Sequence, residues 1–390
     1  MKSANPIPHS LPTADQPLAL LGGLTPEQFL RDYWHKKPLL IRQAIPDFSG
    51  ILSPDELAGL SCEEDVQSRL VIQQGGQWRL EHGPFAESRF AKLPERDWTL
   101  LVQSLNHHLP EAQQLMQQFS FLPYARLDDL MVSYAPDGGG VGPHFDSYDV
   151  FLLQGMGQRR WRISEQKDLS LVEGVPLKIL QHFETQEEWV LQAGDMLYLP
   201  PHLAHWGIAV GDCMTYSIGF RAPSHQELIH AMLSFLQDQE WGDERYSDPE
   251  LTFSDHPALI GEEMIRNVHR ILQKIKISPE LVGEFLASYL SEPKPHVVID
   301  MPKKISLQQF QQRANKHGLN LSLKSQLLYV GKAIYLNGER LNLDANDAAT
   351  ILVLANLRKL SQETLQQHDS QSLWHLLHEM YLQGCLSFCE

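Results

Sequence analysis

Cysteine is nearly missing from this chain: Cys62, Cys213, Cys385 and Cys389 are the only four among 390 residues. So few and so scattered, they exclude a disulfide framework, and the terminal C-x3-C has no second pair nearby to complete a metal site. A reducing compartment is the simpler expectation. No run of eighteen apolar residues occurs, and the first fifteen residues lack the charged-then-apolar order of a secretory signal, so the expected location is the cytoplasm, with no membrane association. Positive charge is also short, at 32 Lys and Arg against 48 Asp and Glu for a net charge of -16. Residues 298–390 hold nine basic and eight acidic residues, which places the deficit in the first 297. An acidic surface repels nucleic-acid phosphate and suits a basic protein partner, although solubility alone is the commoner reason for acidity.

Histidine, by contrast, is arranged with purpose. His144-Phe145-Asp146 is followed by His205 within Gly194-Asp195-Met196-Leu197-Tyr198-Leu199-Pro200-Pro201-His202-Leu203-Ala204-His205. Two imidazoles and one carboxylate occupy one face of an octahedral metal and leave the other open, the ligand set of non-heme Fe(II) in oxygen activation. A chain with eighteen histidines contains about one H-x-D by accident, so context decides. Upstream, Asp137-Gly138-Gly139-Gly140-Val141-Gly142-Pro143 reads as a glycine-rich turn that lets backbone pass close to a bound group. Downstream, Asp149–Gly155 and Arg160–Ile163 read as strands joined by a Gly155-Met156-Gly157 turn, and Met196–Leu199 as a strand ended by Pro200-Pro201. On a strand, His144 and Asp146 would share a face.

Two alternatives compete for the ligand positions. His182-Phe183-Glu184 is another H-x-acid triplet, but it lacks the glycine approach. His202 also follows the Pro-Pro turn; His205 is preferred because strand character resumes directly after it, in Trp206–Val210. Arg159 shares a strand face with Trp161, and its guanidinium fork suits a carboxylate, the natural client being the distal carboxylate of 2-oxoglutarate. Without the triad it would read equally well as a surface arginine beside Arg160 and Arg162.

Elsewhere, Thr25-Pro26-Glu27 and Ser53-Pro54-Asp55-Glu56 start helices before the strand-rich part. From His225 to Glu292 the pattern turns helical, with stripes at Leu228, Ile229, Met232, Leu233 and Leu236 and at Met264, Ile265, Val268, Leu272 and Ile275; these are either core or a helical dimer interface. Ser278-Pro279 opens a further helix through Leu290, and Pro293-Lys294-Pro295 reads as a linker. Beyond it come a helix over Leu307–His317, strands from Leu319 to Val330, a hairpin over Ala333–Leu343 around Asn337-Gly338, and helices over Ala345–Leu360 and Ser372–Leu382. That mixed order is the pattern of a small winged-helix domain. Its near-neutral charge argues against DNA binding.

The stretches Gly138–Phe151, Gly157-Gln158-Arg159-Arg160-Trp161-Arg162, the Gly194–His205 run, Ser217-Ile218-Gly219-Phe220-Arg221-Ala222-Pro223, Tyr33–Ile41 and Arg126–Met131 together resemble the JmjC-type bacterial ribosomal oxygenases. These are Fe(II)- and 2-oxoglutarate-dependent enzymes that use O2 to hydroxylate an arginine of a large-subunit ribosomal protein. The resemblance implies an α+β chain. Its parts would be a double-stranded β-helix (JmjC/cupin barrel) with N-terminal helices over residues 1–222, a helical dimerisation region over 223–297 and a winged helix over 298–390. It implies metal ligation by His144, Asp146 and His205, and oxoglutarate binding by Arg159 with Ser133 and Thr215. Thr215 departs from the asparagine that related enzymes often carry. Asp129, Met131 and Ser133 alternate on the strand before the glycine turn, and Tyr148 continues the series of His144 and Asp146. With the resemblance, Asp129, Met131, Tyr148 and Ser217 become the pocket for the substrate arginine, although from alternation alone Asp129 could cap a turn and Tyr148 could be core. Histidine hydroxylation and lysine demethylation are alternatives of the same chemistry. A non-catalytic metal-binding cupin or winged-helix regulator is the alternative outside it.

Overall fold

The computed structural model describes residues 11–239 and 241–389. Three helices precede or interrupt the first strands: α1 (Pro26–Asp32), α2 (Pro54–Leu60) and α3 (Pro110–Gln117). The first two start where expected, because Thr25 and Ser53 each accept from the backbone N–H three residues on while Gln28 and Glu56 reach back, and proline fills the first helical position.

Eleven strands follow one another through the larger part of the chain: β1 (Leu39–Ile41), β2 (Ser68–Gln74), β3 (Gln77–His82), β4 (Trp98–Val102), β5 (Leu127–Ala135), β6 (Val150–Gln154), β7 (Gln158–Ser164), β8 (Glu187–Gln192), β9 (Met196–Leu199), β10 (Ala204–Val210) and β11 (Cys213–Phe220). Eight form one antiparallel sheet in the order β1-β9-β6-β11-β5-β4-β2-β3, and β10-β7-β8 form a second. The two sheets face each other as the walls of a β-barrel of the double-stranded kind. Strands β6 and β7 do not pair with each other; at Gly155–Gly157 the chain crosses from the large sheet to the small one. The crossing needs glycine, since Gly157 has φ +71° and a Cβ there would lie 2.0 Å from the Asp212 carbonyl oxygen.

The large sheet is covered on both faces, and period-2 alternation sorts its side chains. Leu130 and Val132 of β5, Phe151 and Leu153 of β6, and Met214, Tyr216, Ile218 and Phe220 of β11 join the core built with α1, α2 and α3. Their neighbours in sequence face the other way. Val150, Leu152, Leu197 and Leu199 pack against Trp161, Ile163 and Leu191 of the small sheet. Every residue of β11 is therefore buried, although Thr215 and Ser217 are polar.

Beyond the barrel lie α4 (His225–Gln237), α5 (Glu262–Leu272), α6 (Pro279–Ser291), α7 (Leu307–His317), α8 (Ala345–Leu357), α9 (Gln362–Gln366) and α10 (Gln371–Leu382), with short strands β12 (Leu319–Leu321), β13 (Leu327–Val330), β14 (Ala333–Leu336), β15 (Glu339–Arg340), β16 (Lys359–Leu360) and β17 (Leu386–Phe388). The chain divides into two compact units. The barrel segment through Ala222 groups with Lys294–Ser325 and the residues from Asn356 on, while Pro223–Pro293 groups with Gln326–Ala355. The hairpin turns at Asn337 and Gly338, both at positive φ, as the Asn-Gly pair predicts. The helix expected to reach Leu360 stops at Leu357, because Arg358 takes φ +56° and its buried guanidinium donates to the carbonyls of Ser322 and Ser325. The chain reversed there then pairs Lys359–Leu360 with β12.

Phe29 is fully buried, with five aromatic rings centred 5.0 to 6.2 Å away, those of Tyr33, Trp34, Phe121, Phe151 and Tyr198. It ties the N-terminal helix to β6 and β9. We expect Phe29→Ala to lose about 3–5 kcal/mol of stability in denaturant titration, as large-to-small changes at fully buried aromatics do.

Candidate active site

His144 and His205 are brought together by backbone: each donates its N–H to the other's carbonyl, at 2.9 and 2.8 Å, in an isolated antiparallel bridge. His205 lies one residue inside β10, as expected. His144 and Asp146 do not sit on a regular strand; the segment carrying them is a loop that meets the β10 edge at this bridge and, through Gly138 and Gly139, at Ala209. Its return is held by His202, whose N–H donates to the Asp146 carbonyl at 2.7 Å.

The three side chains converge, with their ligand atoms within 4.8 Å of one another. His144 Nε2 stands 4.0 Å and His205 Nε2 3.6 Å from Asp146 Oδ2. Both rings turn their other nitrogen to a carbonyl, His144 Nδ1 to Gly142 at 3.0 Å and His205 Nδ1 to Leu203 at 2.9 Å. A carbonyl can only accept, so the proton resides on Nδ1 and the Nε2 lone pair is presented to the centre. Burial, then the neighbouring His144, holds the pKa of His205 down at about 4, so it stays neutral. This is the donor set that fits a divalent metal with an open coordination face. Neither competing histidine joins it. His182 is exposed, and His202, at φ +65°, packs its ring 6.0 Å from Phe145.

The triad borders a cavity of about 410 Å³ whose walls include Arg159, Ser133, Thr215, Ser217, Asp129, Met131 and Tyr148. Register explains the arrangement. Directly across β7 and β10 stand Ile163 and His205, Trp161 and Gly207, and Arg159 and Ala209, so one face of the small sheet carries His205, Trp161 and Arg159 in a row. Arg159 is 4% exposed and reaches across to the large sheet, where Nη1 donates to Ser133 Oγ at 3.2 Å and Thr215 Oγ1 at 3.1 Å. Those two residues are cross-strand partners on β5 and β11. Thr215 in turn donates to Gln154 Oε1 at 3.1 Å. Among the described residues no carboxylate lies within ion-pair distance of Arg159, and its Nε is buried with no partner. Burial pushes its pKa down. A cation so desolvated fits an anionic ligand entering the cavity.

At the far wall, Asp129 is 6% exposed, and burial, reinforced by Asp128, raises its pKa. Met131 Sδ lies 3.8 Å from an Arg69 nitrogen, and Tyr148 is 40% exposed at the rim. Sequence reasoning missed the cavity-lining Arg69, Gln103, Leu177 and Lys178. Nothing local marks them, because they come from strands and loops outside the motif blocks. The glycine run has a further role that local sequence does not show. A Cβ on Gly139 would fall 2.0 Å from the Trp98 carbonyl oxygen, and one on Gly140 would fall 2.4 Å from that of Gly207. These glycines allow backbone to pack on backbone.

Residues 114–228 match the model of the JmjC domain, and residues 269–387 that of a ROXA-like winged helix. The ribosomal protein uL16 3-hydroxylase of Escherichia coli K12 is 37% identical over 319 residues, covering 80% of this chain and 84% of that protein. A probable ribosomal oxygenase of Haemophilus influenzae is 42% identical over 271 residues, 68% of this chain and 65% of its own length. The E. coli ribosomal oxygenase YcfD, solved in complex with cobalt and 2-oxoglutarate, superposes with a TM-score of 0.80 at 33% identity, covering 94% of this chain and 98% of that one.

Gly207 tests the packing of the row. A Cβ there would meet the Trp161 ring at 2.6 Å and Arg159 Nε at 3.0 Å, without backbone strain. We expect Gly207→Ala to cost about 1–3 kcal/mol in thermal or denaturant unfolding, with Trp161 fluorescence altered.

Proposed function

The chain belongs to the JmjC-type ribosomal oxygenase family, and on that premise we propose that it hydroxylates an arginine of a large-subunit ribosomal protein, using Fe(II), 2-oxoglutarate and O2. The observation that carries the reading is a buried arginine with no anion, sharing one cavity with a two-histidine, one-carboxylate cluster open on its cavity side. His144, Asp146 and His205 would hold the iron. The chemistry Fe(II) supplies when bound is activation of O2, one atom going to a substrate C–H bond and the other to the succinate formed, with CO2, from 2-oxoglutarate.

The protein's own work is placement. Arg159 would bind the distal carboxylate of 2-oxoglutarate, with Ser133 and Thr215 fixing the guanidinium and completing the site for its oxygens. The paired carbonyls of Gly142 and Leu203 hold the imidazoles in the ligating tautomer. Asp129 would pair with the cationic side chain of the substrate, whose plane Tyr148 and Met131 can flank, and Ser217 would offer a hydroxyl beside it. The acidic surface of the barrel segment would draw a basic protein and repel nucleic acid, so we expect no direct nucleic-acid binding. Among the described residues no helix is long and apolar enough to cross a membrane. We place the enzyme in the cytoplasm, where its substrate is made.

We also assign residues 1–222 to catalysis, 223–297 to dimerisation and 298–390 to the winged helix. On α4 and α5, Ile229, Leu233, Ile265 and Leu272 are each more than half exposed, an apolar face that a second copy of the chain would cover.

Four outcomes are expected. With iron, 2-oxoglutarate and the ribosomal protein, intact mass should rise by one oxygen atom; no gain with correctly loaded enzyme would defeat the reading. His205→Ala should lose divalent-metal binding in calorimetry while His202→Ala keeps it, and Arg159→Ala should weaken 2-oxoglutarate binding at least about tenfold, as loss of a charge-assisted contact does. Ile265→Asp combined with Leu272→Asp should sediment as a monomer with its far-UV spectrum retained.

A further inference from the structure

Asp129 is held from behind. Its Oδ2 accepts from the Ser104 backbone N–H at 3.0 Å, from Ser104 Oγ at 3.3 Å and from Gln103 Nε2 at 3.3 Å. Its Oδ1 makes no hydrogen bond and stands where a Cβ on Gly219 would lie 3.5 Å away, beside another cavity-lining residue. Ser104 is 6% exposed and adopts the left-handed conformation, φ +53° and ψ +36°, which is unfavourable for a side chain with a Cβ and aims its N–H at the carboxylate. Two residues on, Asn106 Oδ1 accepts from the Leu130 N–H at 3.0 Å, so the same segment is bolted to the backbone of β5 beside Asp129. Gln103, Ser104 and Asn106 lie outside every motif block of the sequence.

We propose that Gln103 and Ser104 are positioning residues that saturate one oxygen of Asp129 and leave the other, Oδ1, as the single acceptor offered to the substrate's cationic side chain. The inference rests on the reading of Asp129 as a substrate contact. Three donors on one oxygen fix the carboxylate plane, so no rotation has to be frozen when the substrate binds. They also favour the ionised form against the burial that disfavours it. The charged and titratable groups facing Asp129 are Asp128 on its own strand, Lys294 and His296 from the segment after α6, and Tyr148 from the metal-binding loop. Asp128 opposes ionisation and Lys294 supports it, while Gln103 and Ser104 add support that does not itself titrate. A carboxylate engaged on one side cannot form a two-oxygen fork with a guanidinium. The site therefore holds a cation end-on.

The test is peptide kinetics of the full-length, iron-loaded enzyme, with a basic peptide carrying the target arginine and with folding checked by thermal denaturation. For Ser104→Ala, Gln103→Ala and their combination, the peptide KM should rise about five- to tenfold in the double variant while kcat changes less than twofold, since a hydrogen bond to a charged group is being removed. The acidic limb of kcat/KM for the peptide should move to higher pH, because loss of donors to the ionised form raises the pKa of Asp129. Gln103→Glu, nearly isosteric, should move the limb further, and it serves if the double variant does not fold. Asp129→Asn separates the two levels of the argument. If Asp129→Asn leaves peptide KM unchanged, Asp129 is not a substrate contact and the proposal falls with that reading. If Asp129→Asn raises KM but the Ser104 and Gln103 variants shift neither KM nor the acidic limb, the reading stands and the positioning role is refuted.

Discussion

A guanidinium buried between two β-sheets with hydroxyls for company and, among the described residues, no carboxylate beside it is the constraint on which the cavity depends. Desolvating a charge without a counter-ion costs several kcal/mol, and the hydroxyls of Ser133 and Thr215 recover part of that through hydrogen bonds to Nη1. An anion entering the cavity would recover the rest. A neutral or apolar residue at position 159 would stabilise the empty barrel, so the arginine makes physical sense as a binding device and poor sense as a structural one. The same logic applies to His205, which is buried and held neutral with its Nε2 lone pair turned toward Asp146. Both groups are costly in isolation, and a ligand would relieve each, an anion at Arg159 and a cation at the triad. Both sit on one face of the small sheet.

That the two ends fall on one face follows from the pleat. Arg159 and Trp161 are two apart on β7, and Ala209 and Gly207 are their partners across the register on β10, with His205, opposite Ile163, two residues from Gly207 on the same face. Gly207 has no side chain, and the Trp161 ring occupies the space a Cβ would need, which closes the row between His205 and Arg159 with aromatic surface. On the opposite sheet the same alternation gives Ser133 and Thr215 to the cavity while Val132, Met214 and Tyr216 go to the core behind. A slip of one residue on any of these strands would exchange the hydroxyls for apolar side chains.

Much of this was legible in the sequence, and for stated reasons. The capped helices, the Asn-Gly hairpin and the strand carrying Arg159 with Trp161 are local matters of turn chemistry and period-2 burial. The choice of His205 over His202 was legible too, because strand character resumes after one and not around the other. What the sequence did not show is set by contacts between distant segments. The crossing at Gly157 depends on the Asp212 carbonyl, the helix stop at Leu357 on carbonyls of Ser322 and Ser325, and the packing role of Gly139 and Gly140 on Trp98 and Gly207. His144 and Asp146 share a site because a backbone bridge and the His202 N–H pin their loop; strand periodicity has no part in it.

One buried network accounts for motif blocks that lie far from the metal in sequence. Asp149 is fully buried, and Tyr198 donates to its Oδ1 at 2.5 Å while His35 Nε2 stands 3.0 Å and an Arg126 nitrogen 3.7 Å from Oδ2. The backbone N–H of His35, at φ +57°, donates to the Tyr198 hydroxyl at 2.9 Å, and Arg126 lies over the Trp34 ring at 5.4 Å. Residues from the Tyr33–Ile41 block, the Arg126–Met131 block, the segment after the H-x-D triplet and β9 thus meet at a single carboxylate. Burial raises its pKa, and the Tyr198 hydrogen bond and the Arg126 charge act against that. The position matters because Asp149 is where the loop bearing His144 and Asp146 becomes β6, so the carboxylate fixes the point from which that loop is launched. A polar group at this junction restrains backbone direction more tightly than apolar contact could, since the hydrogen bond from Tyr198 has a preferred line as well as a distance. Spacing between the metal ligands is then a property of the sheet and helix framework, and the loop between them inherits it.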